Sequence, residues 1–293
     1  MSGTGTGERR AGFPAGDAAA AHGRAAGSAA RSGGTWTGAI AGEWHKLRTV
    51  RSTAAILAAI GVAFLFCLLW SLYAVRYWEG LSAAERADLA PAPPTQFLTA
   101  VLPVCAVVLG ALTLTSEYAT GMIRTSLTAM PRRLPLLGAK ALAAAGLVGA
   151  AALVSLAAAL LAGRAIAGDR PMPGFDGPLA DHAANAVAIA VTAAAITLMT
   201  LGMAALLRST AATITIGMGL VFVAPPLVRL LPAPWDDRIW WLLPAGFPNQ
   251  VAPVPGSTAG EGGLSGPAAA ALLVVYVAVM LGAGAYAFAR RDA

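Results

Sequence analysis

The 293-residue sequence has little charge, because Asp, Glu, Lys and Arg make up 12% of it while hydrophobic residues make up 57%. A soluble domain carries about 25% charged residues, so this chain has too few to cover a water-facing surface. Its mean hydropathy is +0.68. The composition therefore excludes an ordinary cytosolic enzyme and indicates a membrane protein.

Cysteine is also scarce. The two cysteines, Cys67 and Cys105, both lie in long apolar runs, where a thiol packs as a small hydrophobic group. A disulfide framework or a cysteine-based zinc site is therefore not expected. The net charge of +6 would suit nucleic acid only if the basic residues clustered on a soluble face. Here they flank apolar segments, so no nucleic-acid partner is predicted.

Several catalytic motifs are missing from the sequence. It contains neither GxxxxGKS nor GxxxxGKT, the phosphate-binding loop of ATPases, so the chain is not predicted to hydrolyse ATP. The histidines, His22, His45 and His182, lie outside the apolar runs, and no HExxH occurs. We therefore predict a protein that is not an enzyme, with no catalytic residues, no metal and no directly bound cofactor.

Six charge-free runs are long enough to cross a membrane, since about 30 Å of hydrocarbon takes about 20 helical residues. The runs are 53–75, 97–116, 141–163, 183–207, 209–228 and 267–289. A seventh run, 239–260, contains four prolines and is predicted to be re-entrant or interfacial. The sequence therefore predicts an all-α integral membrane protein with six transmembrane helices.

The distribution of Lys and Arg predicts the orientation, because cytoplasmic flanks retain these residues. If both termini are cytoplasmic, most of the 20 Lys and Arg fall inside. The outer segments then hold Arg76, Arg86, Arg164, Arg170, Arg229 and Arg238, together with most of the acids. We therefore expect a multi-pass protein with both ends in the cytoplasm.

The residues before the first run divide into two parts. Residues 1–35 are mostly Gly, Ala, Ser and Arg and are predicted to form a disordered cytoplasmic tail. Residues 36–52 are predicted to form an amphipathic helix in the inner membrane interface, ahead of a permease domain at 53–293. Its apolar stripe consists of Trp36, Ile40, Trp44 and Leu47. Lys46 and Arg48 are two of the cations that lie between these residues. The alternative is a simple charged flank of the first span.

The segment 116–133, SEYATGMIRTSLTAMPRR, links the second and third spans on the cytoplasmic side. As a helix over 116–130 it would place Glu117, Gly121 and Arg124 on one stripe. The adjoining stripe would hold Tyr118, Met122 and Thr125, and Pro131 would end the helix. Such a helix beneath the bilayer would suit docking of a cytoplasmic partner. The alternative is a solvated loop helix that only follows the positive-inside rule.

Three segments resemble bacterial ABC exporter permeases of the second type. They are GEWHKLRTVRST before the first span, SEYATGMIRTSLTAMPRR after the second, and LGMAALLRSTAATITIGMGLVF across the fourth and fifth. The resemblance covers roughly residues 36–293. The family's pattern of an acid, a glycine, a cation and Pro-x-Arg is matched by Glu117, Gly121, Arg124, Pro131 and Arg133. The 35-residue tail is a departure to which the family assigns no role.

The resemblance implies a fold and a set of partners. It implies an interfacial helix, a coupling helix that docks on a separate ABC ATPase subunit, and a second permease copy, identical or related, in the bacterial cytoplasmic membrane. ATP would be used by that partner. The loop 229–266 would form an outer gate, and its Trp235, Trp240, Trp241 and Phe247 suit a lid at headgroup level. A plain extracellular loop is the alternative.

Two other functions remain open from the sequence. An ion-coupled secondary transporter usually carries carboxylates or histidines within its spans, and the six runs carry none. Sodium sites built from carbonyl and hydroxyl groups would not show this signal. A membrane scaffold that transports nothing would have the same topology.

Overall fold

The computed structural model describes residue 3 and residues 36–89, 91–122, 133–253 and 263–290. These residues form helices of very different lengths. In chain order they are α1 (Trp36–Thr49), α2 (Arg51–Gly80), α3 (Ala83–Asp88), α4 (Gln96–Thr120), α5 (Arg133–Ala167), α6 (Leu179–Leu207), α7 (Thr210–Met218), a π-helical turn (Gly219–Val223), α8 (Ala224–Val228), α9 (Trp235–Trp240), a 3-10 turn (Pro244–Gly246), α10 (Phe247–Val251) and α11 (Gly266–Arg290).

Six of these segments are long and apolar enough to cross a membrane: α2, α4, α5, α6, α11 and the continuous stretch Thr210–Val228. They coincide with the six predicted runs, so the prediction of an all-helical protein with six such helices is confirmed. The fold indicates a multi-pass membrane protein.

The helices extend past the charge-free runs at several ends. α4 continues to Thr120, and α5 begins at Arg133, two turns before its predicted start. A charged residue does not stop a helix when a partner neutralises it, and both extensions carry such a residue. Glu117 and Lys140 therefore lie within the helices, although both residues fall outside the charge-free runs.

Helix α6 is the centre of the bundle, and most of its span is buried. It packs against α4, α5 and α11. The contact with α11 is very close, since a Cβ built on Gly202 would lie 2.3 Å from the Met280 carbonyl oxygen, and one on Gly284 would lie 2.5 Å from the Gly202 carbonyl oxygen. Only glycine permits backbones to approach so closely.

The fifth span changes its winding in the middle. The chain passes from α7 into the π-helical turn and then into α8, where Pro225 and Pro226 follow. Proline lacks a backbone N–H and cannot complete the regular hydrogen-bond ladder. The wider π-helical turn precedes these prolines and carries Val221 and Phe222, which face a cavity described below.

The two ends of the bundle are distinct. At one, called here the α1 end, the Arg133 guanidinium donates to the Phe288 carbonyl oxygen at 3.4 Å, so the start of α5 is tied to the end of α11. At the other, called the cavity end, Trp70 Nε1 donates to the Ala92 carbonyl oxygen at 2.9 Å. Arg164 there donates to the Gly177 carbonyl oxygen at 2.5 Å.

Helix α1 packs against α5. It ends at Thr49, and Val50 is extended before α2 begins, so the predicted helix over 36–52 is shorter than expected. Its buried residues are Glu43 and Leu47. The Glu43 carboxylate points into the bundle toward Lys140 of α5.

The proline-rich run 239–260 forms short helical pieces in its described part, α9, the 3-10 turn and α10. These pieces are anchored to long helices. Gln250 accepts from the Leu264 amide at 3.2 Å and donates to the Trp241 carbonyl oxygen at 3.2 Å. Tyr276 Oη donates to the Leu242 carbonyl oxygen at 3.2 Å.

Candidate functional site

Four charged side chains from three helices meet at the α1 end. Lys140 Nζ on α5 lies 2.6 Å from Glu117 Oε1 on α4 and 2.9 Å from Glu43 Oε2 on α1. Lys46 of α1 also bonds to Glu117 Oε1, and its Nζ lies 3.9 Å from Glu43 Oε1. We call these four residues the charge cluster. It has two acids and two cations, so its net charge is zero.

Three members of the charge cluster are buried, and the fourth, Lys46, is partly exposed. The exposed fraction of the side chain is 0% for Lys140, 4% for Glu117, 10% for Glu43 and 30% for Lys46. A buried charge without a partner is very costly, and removing one partner of a buried pair costs about 3–5 kcal/mol. The four residues therefore hold α1, α4 and α5 in one relative arrangement.

One oxygen in the charge cluster is unused by the protein. Glu117 Oε2 is buried, and within the described ranges it has no hydrogen-bond partner. Both lysines contact the other oxygen, Oε1. A buried carboxylate oxygen normally has a donor, so Glu117 retains capacity for a further donor from solvent or from another group.

The local sequence explains why the four residues converge. Glu43 and Leu47 are four residues apart on α1 and share one face, and Lys46 stands beside them. Glu117 is three residues from the end of α4, and Lys140 is two turns into α5. Because α4 and α5 are consecutive and run in opposite directions, these positions lie at the same depth. Residues 121–132 join these two helices in the sequence.

Burial lowers the pKa of the Lys46 ammonium, but its bond to Glu117 and the nearby charge of Glu43 outweigh burial. The net result is a pKa above the ordinary lysine value. Lys46 is therefore protonated throughout the physiological range and keeps its place in the charge cluster.

A second contact binds the end of α6 to α4 beside the charge cluster. The Arg208 guanidinium carbon lies 5.1 Å from the centre of the Tyr118 ring, within the range of a cation–π interaction. Arg208 follows α6 in a left-handed conformation with φ 52°. Non-glycine residues rarely adopt that conformation, and here it ends α6 beside α4.

The structure changes the interpretation of 116–130. The prediction of one continuous helix is wrong at Gly121, because α4 ends at Thr120 and Gly121 adopts φ 71°. Residues 116–120 thus belong to the second span, and Glu117 is inside the bundle. Met122 is 47% exposed. The predicted site residues Arg124, Thr125 and Pro131 lie outside the described residues, whereas Arg133 begins α5.

The predicted residues of α1 fall into two groups. Leu47 is buried, Ile40 is half-buried and Lys46 belongs to the charge cluster. Trp36 and Trp44 are 46% and 37% exposed. The Arg48 guanidinium carbon lies 6.0 Å from the Trp44 ring centre. The Trp36 ring lies over Gly138, where a Cβ would be 2.6 Å from it.

The four aromatic residues predicted for an outer gate do not form one cluster. Phe247 is fully buried, whereas Trp235 is 56% exposed. Trp240 lies under the Arg229 guanidinium at 4.2 Å, and the Trp241 ring contacts Gly263. They share the cavity end but serve different contacts.

Lys140 and Glu43 were not among the predicted site residues. A signal for Lys140 was present, since Glu117 directly follows one charge-free run and Lys140 directly precedes the next. Two opposite charges at the facing ends of consecutive antiparallel spans are placed to meet. Within the described ranges, no three His, Cys, Asp or Glu side chains come together as metal ligands would.

Comparison with curated proteins finds no match. A family described as a protein of unknown function, DUF2705, matches residues 55–293. That match begins one turn into α2 and covers the other five long helices and most of the chain. The chain therefore belongs to the DUF2705 family.

Proposed function

We propose that the chain is the membrane-spanning permease subunit of an ATP-driven ABC exporter. The ATPase is a separate polypeptide that docks at the α1 end, and two permease copies enclose the path. ATP-driven closure of the ATPases would switch the spans from inward-facing to outward-facing. The ABC assignment comes from the sequence resemblance, and the geometry of the α1 end supports it.

The charge cluster is the observation that carries this proposal. It joins α1 to the two spans on either side of the loop 121–132. Displacing one member would leave a buried charge unpaired at a cost of about 3–5 kcal/mol. A push on the loop therefore moves α1 and the adjoining ends of α4 and α5 as one body, which is what coupling to an external ATPase requires.

Glu117 acts in this proposal as a positioning residue rather than a docking contact. Its side chain is 4% exposed and bonded to two lysines, so it is not placed to meet a partner in the cytoplasm. Docking would fall to the residues beyond Gly121, with Met122 exposed at the start and Arg124 as the predicted cation.

The charges support a cytoplasmic α1 end. At this end Glu43 and Glu117 neutralise Lys46 and Lys140. The remaining charged residues described there are all arginines: Arg48, Arg51, Arg133, Arg208 and Arg290. The cavity end holds Glu79, Glu85, Asp88, Asp169, Asp176, Asp181, Asp236 and Asp237. It also holds six arginines, Arg76, Arg86, Arg164, Arg170, Arg229 and Arg238. The positive-inside rule counts Lys and Arg, and over the whole sequence 14 of the 20 belong to the termini and to the connections on the α1 side. This distribution supports a cytoplasmic position for that end and for both termini. It also supports an interfacial position for α1.

The test is purification from the native host in mild detergent, with mass spectrometry of what stays bound. We expect a protein with a GxxxxGKS or GxxxxGKT loop to co-purify with the wild-type chain. Its recovery should fall with Glu117→Gln, which disturbs the charge cluster, and with Arg124→Glu in the loop. Glu79→Gln, an exposed carboxylate at the cavity end, is the control and should leave recovery unchanged.

The result that contradicts the proposal is a single chain under conditions that keep a known ABC pair together. Equal ATPase recovery with Glu117→Gln, Arg124→Glu and Glu79→Gln would place docking elsewhere. A folded state for each variant is checked by a single symmetric peak in size-exclusion chromatography.

An ion-coupled secondary transporter is the second candidate. The observation that favours it is Glu117, a buried carboxylate within a span helix with one oxygen free of protein partners in the described ranges. In that case the purified chain alone, in proteoliposomes, would take up protons in response to substrate. The ABC proposal expects no such uptake without the ATPase.

A further inference from the structure

The cavity end contains a partly open cavity of about 720 Å³. It lies between α4, α6, the π-helical turn and the segment 244–249. Small-molecule sites typically have volumes of about 300–1,000 Å³. The cavity belongs to one copy of the chain, so it does not depend on the path enclosed by two copies.

One wall of the cavity is apolar and built from helices. Leu102 of α4, Ile189 and Ile196 of α6, and Val221 and Phe222 of the π-helical turn line it. The side chains of Leu102 and Ile196 belong to the packed core, so this wall is already formed. It suits the apolar body of a ligand.

A second part of the cavity wall, near the N-terminal ends of α4 and α6, presents uncharged polar groups. Asn185 Nδ2 donates to Asn249 Oδ1 at 3.2 Å and to the Ala252 carbonyl oxygen at 2.7 Å, which fixes both asparagines. In the described part of the chain, neither Asn249 Nδ2 nor the side-chain amide of Gln96 has a protein hydrogen-bond partner. Both residues line the cavity, so both amides are available to a ligand.

His182 adds an acceptor to this wall. Its Nε2 lies 2.7 Å from the Asp176 carbonyl oxygen. A carbonyl oxygen only accepts, so Nε2 carries the proton and donates. When the ring is neutral, Nδ1 is an acceptor.

The charges around the cavity disfavour ionic ligands. Among the described lining residues there is no Lys or Arg to pair with a phosphate or carboxylate, and Asp176 is the single acid. Asp176 is exposed to solvent rather than buried, so it gives little hold on a cation. The N-termini of α4 and α6 both open at this cavity, and their partial positive charge opposes a cation. The same partial charge favours an anion only weakly, by less than the cost of burying an anion that has no Lys or Arg partner.

From these observations we infer that the cavity binds an uncharged amphipathic molecule. Its apolar body lies against Leu102, Ile189 and Phe222, and its hydrogen-bonding head meets Gln96 and Asn249. The inference goes beyond the proposed function, because it assigns a ligand class to a site within a single copy and holds with or without an ATPase.

The test uses the full chain in nanodiscs. The probe is octyl β-glucoside that carries a photoreactive diazirine. After irradiation, the labelled residues are identified by mass spectrometry of the peptides. Competitors with the same octyl chain and different heads are octyl glucoside, octyl sulfate and octyltrimethylammonium, compared at equal concentration in the bilayer. We expect labelling in 96–103 and 182–196 that octyl glucoside competes and the two ionic compounds do not.

Ala100→Trp fills the cavity from an exposed lining position and should abolish the competed labelling. Ala184→Trp makes the same change at an exposed position outside the lining of the cavity and should leave labelling intact. Gln96→Leu removes one amide and should weaken competition by octyl glucoside by about three- to tenfold. Equal competition by all three heads, stronger competition by either ion, or labelling that persists in Ala100→Trp would overturn the inference.

The ligand could come from the bilayer or from the aqueous phase, and a further arm separates these sources. An organic extract of the purified chain is examined by mass spectrometry, with Ala100→Trp as the reference. A neutral lipid present with the wild-type chain and absent from the variant identifies a bilayer source. If the extracts match while the competed labelling is seen, the ligand enters from water.

Discussion

Lys140 Nζ lies 2.6 Å from Glu117 Oε1, with one residue on each of the two spans that flank the loop 121–132. Neither side chain reaches water to a significant extent. The pair thus fixes the spacing of α4 and α5 just inside the bundle, and Glu43 and Lys46 extend the same connection to α1.

Loss of Lys140 should strongly destabilise the protein. Lys140→Met leaves two buried carboxylates with one lysine, and the free energy of unfolding should fall by about 3–5 kcal/mol. The measurement is unfolding by sodium dodecyl sulfate in bicelles. Arg170→Met is the matched control, since Arg170 pairs with Glu79 where both side chains are exposed. It should cost less than about 1 kcal/mol.

The charge cluster should behave as one unit in a double-mutant cycle. Glu117→Gln combined with Lys140→Met removes both charges of a pair, so the double variant should lose less stability than the sum of the single variants. Strict additivity in the same unfolding assay would show that the two residues do not interact in the folded protein.

The contribution of Lys46 should depend on pH in one direction. Its pKa is raised in the folded protein, so its stabilisation is fully present below the unfolded-state value of about 10.4. It is lost as pH rises through the higher folded value. The stability difference between wild type and Lys46→Gln should therefore stay constant from neutral pH to about pH 10 and shrink above it. A difference that shrinks below pH 9 would contradict this reading.

Close packing of α6 and α11 should make Gly284 intolerant of a side chain. In Gly284→Ala the new Cβ would lie 2.5 Å from the Gly202 carbonyl oxygen, and overpacking of this kind costs about 1–3 kcal/mol. Gly282→Ala is the control, because its Cβ would meet nothing within 4 Å in the described structure. That variant should be neutral or stabilised by up to about 1 kcal/mol. Equal effects of the two changes would place the helix contact elsewhere.

Gly121 should be needed for the end of α4. A side chain at φ 71° costs about 1–2 kcal/mol, so Gly121→Ala should lower stability by that amount. Gly61→Ala is the control, because Gly61 lies within α2 and its new Cβ would have no described atom within 4 Å. This variant should not lower stability. If Gly121→Ala is neutral, the left-handed turn is not a fixed feature of the chain.

Hydropathy was enough to predict the six long helices, because a charge-free run of this length has few alternatives to a spanning helix. It also predicted their order and ends to within a few turns. The charge cluster was only partly within reach. Glu117 and Lys140 flank consecutive runs, but the buried position of Glu43 depends on how α1 rotates about its axis as it packs against α5.

The cavity could not be predicted for a related reason. Its lining comes from six separated parts of the chain. The π-helical turn that presents Val221 and Phe222 has no simple sequence signature. The helix boundary at Gly121 was missed because the stripe of Glu117, Gly121 and Arg124 fits helical spacing. The local preference of glycine for φ > 0 prevailed there.

In the proposed function, an ATPase moves the spans through the charge cluster. This movement is tested by spin-label distances in the chain with its co-purified ATPase, in nanodiscs, with Cys67 and Cys105 changed to Ala. One label pair, Trp44→Cys and Leu134→Cys, lies within the α1 end, and a second joins Leu134→Cys to Leu230→Cys at the cavity end.

We predict that ATP shifts the distance between positions 134 and 230 and leaves the distance between positions 44 and 134 unchanged. With Glu117→Gln added, less ATPase should co-purify, and the complex that is recovered should still hydrolyse ATP but show a smaller shift. An unchanged 134–230 distance on ATP binding, or a 44–134 distance that shifts just as far, would contradict the account.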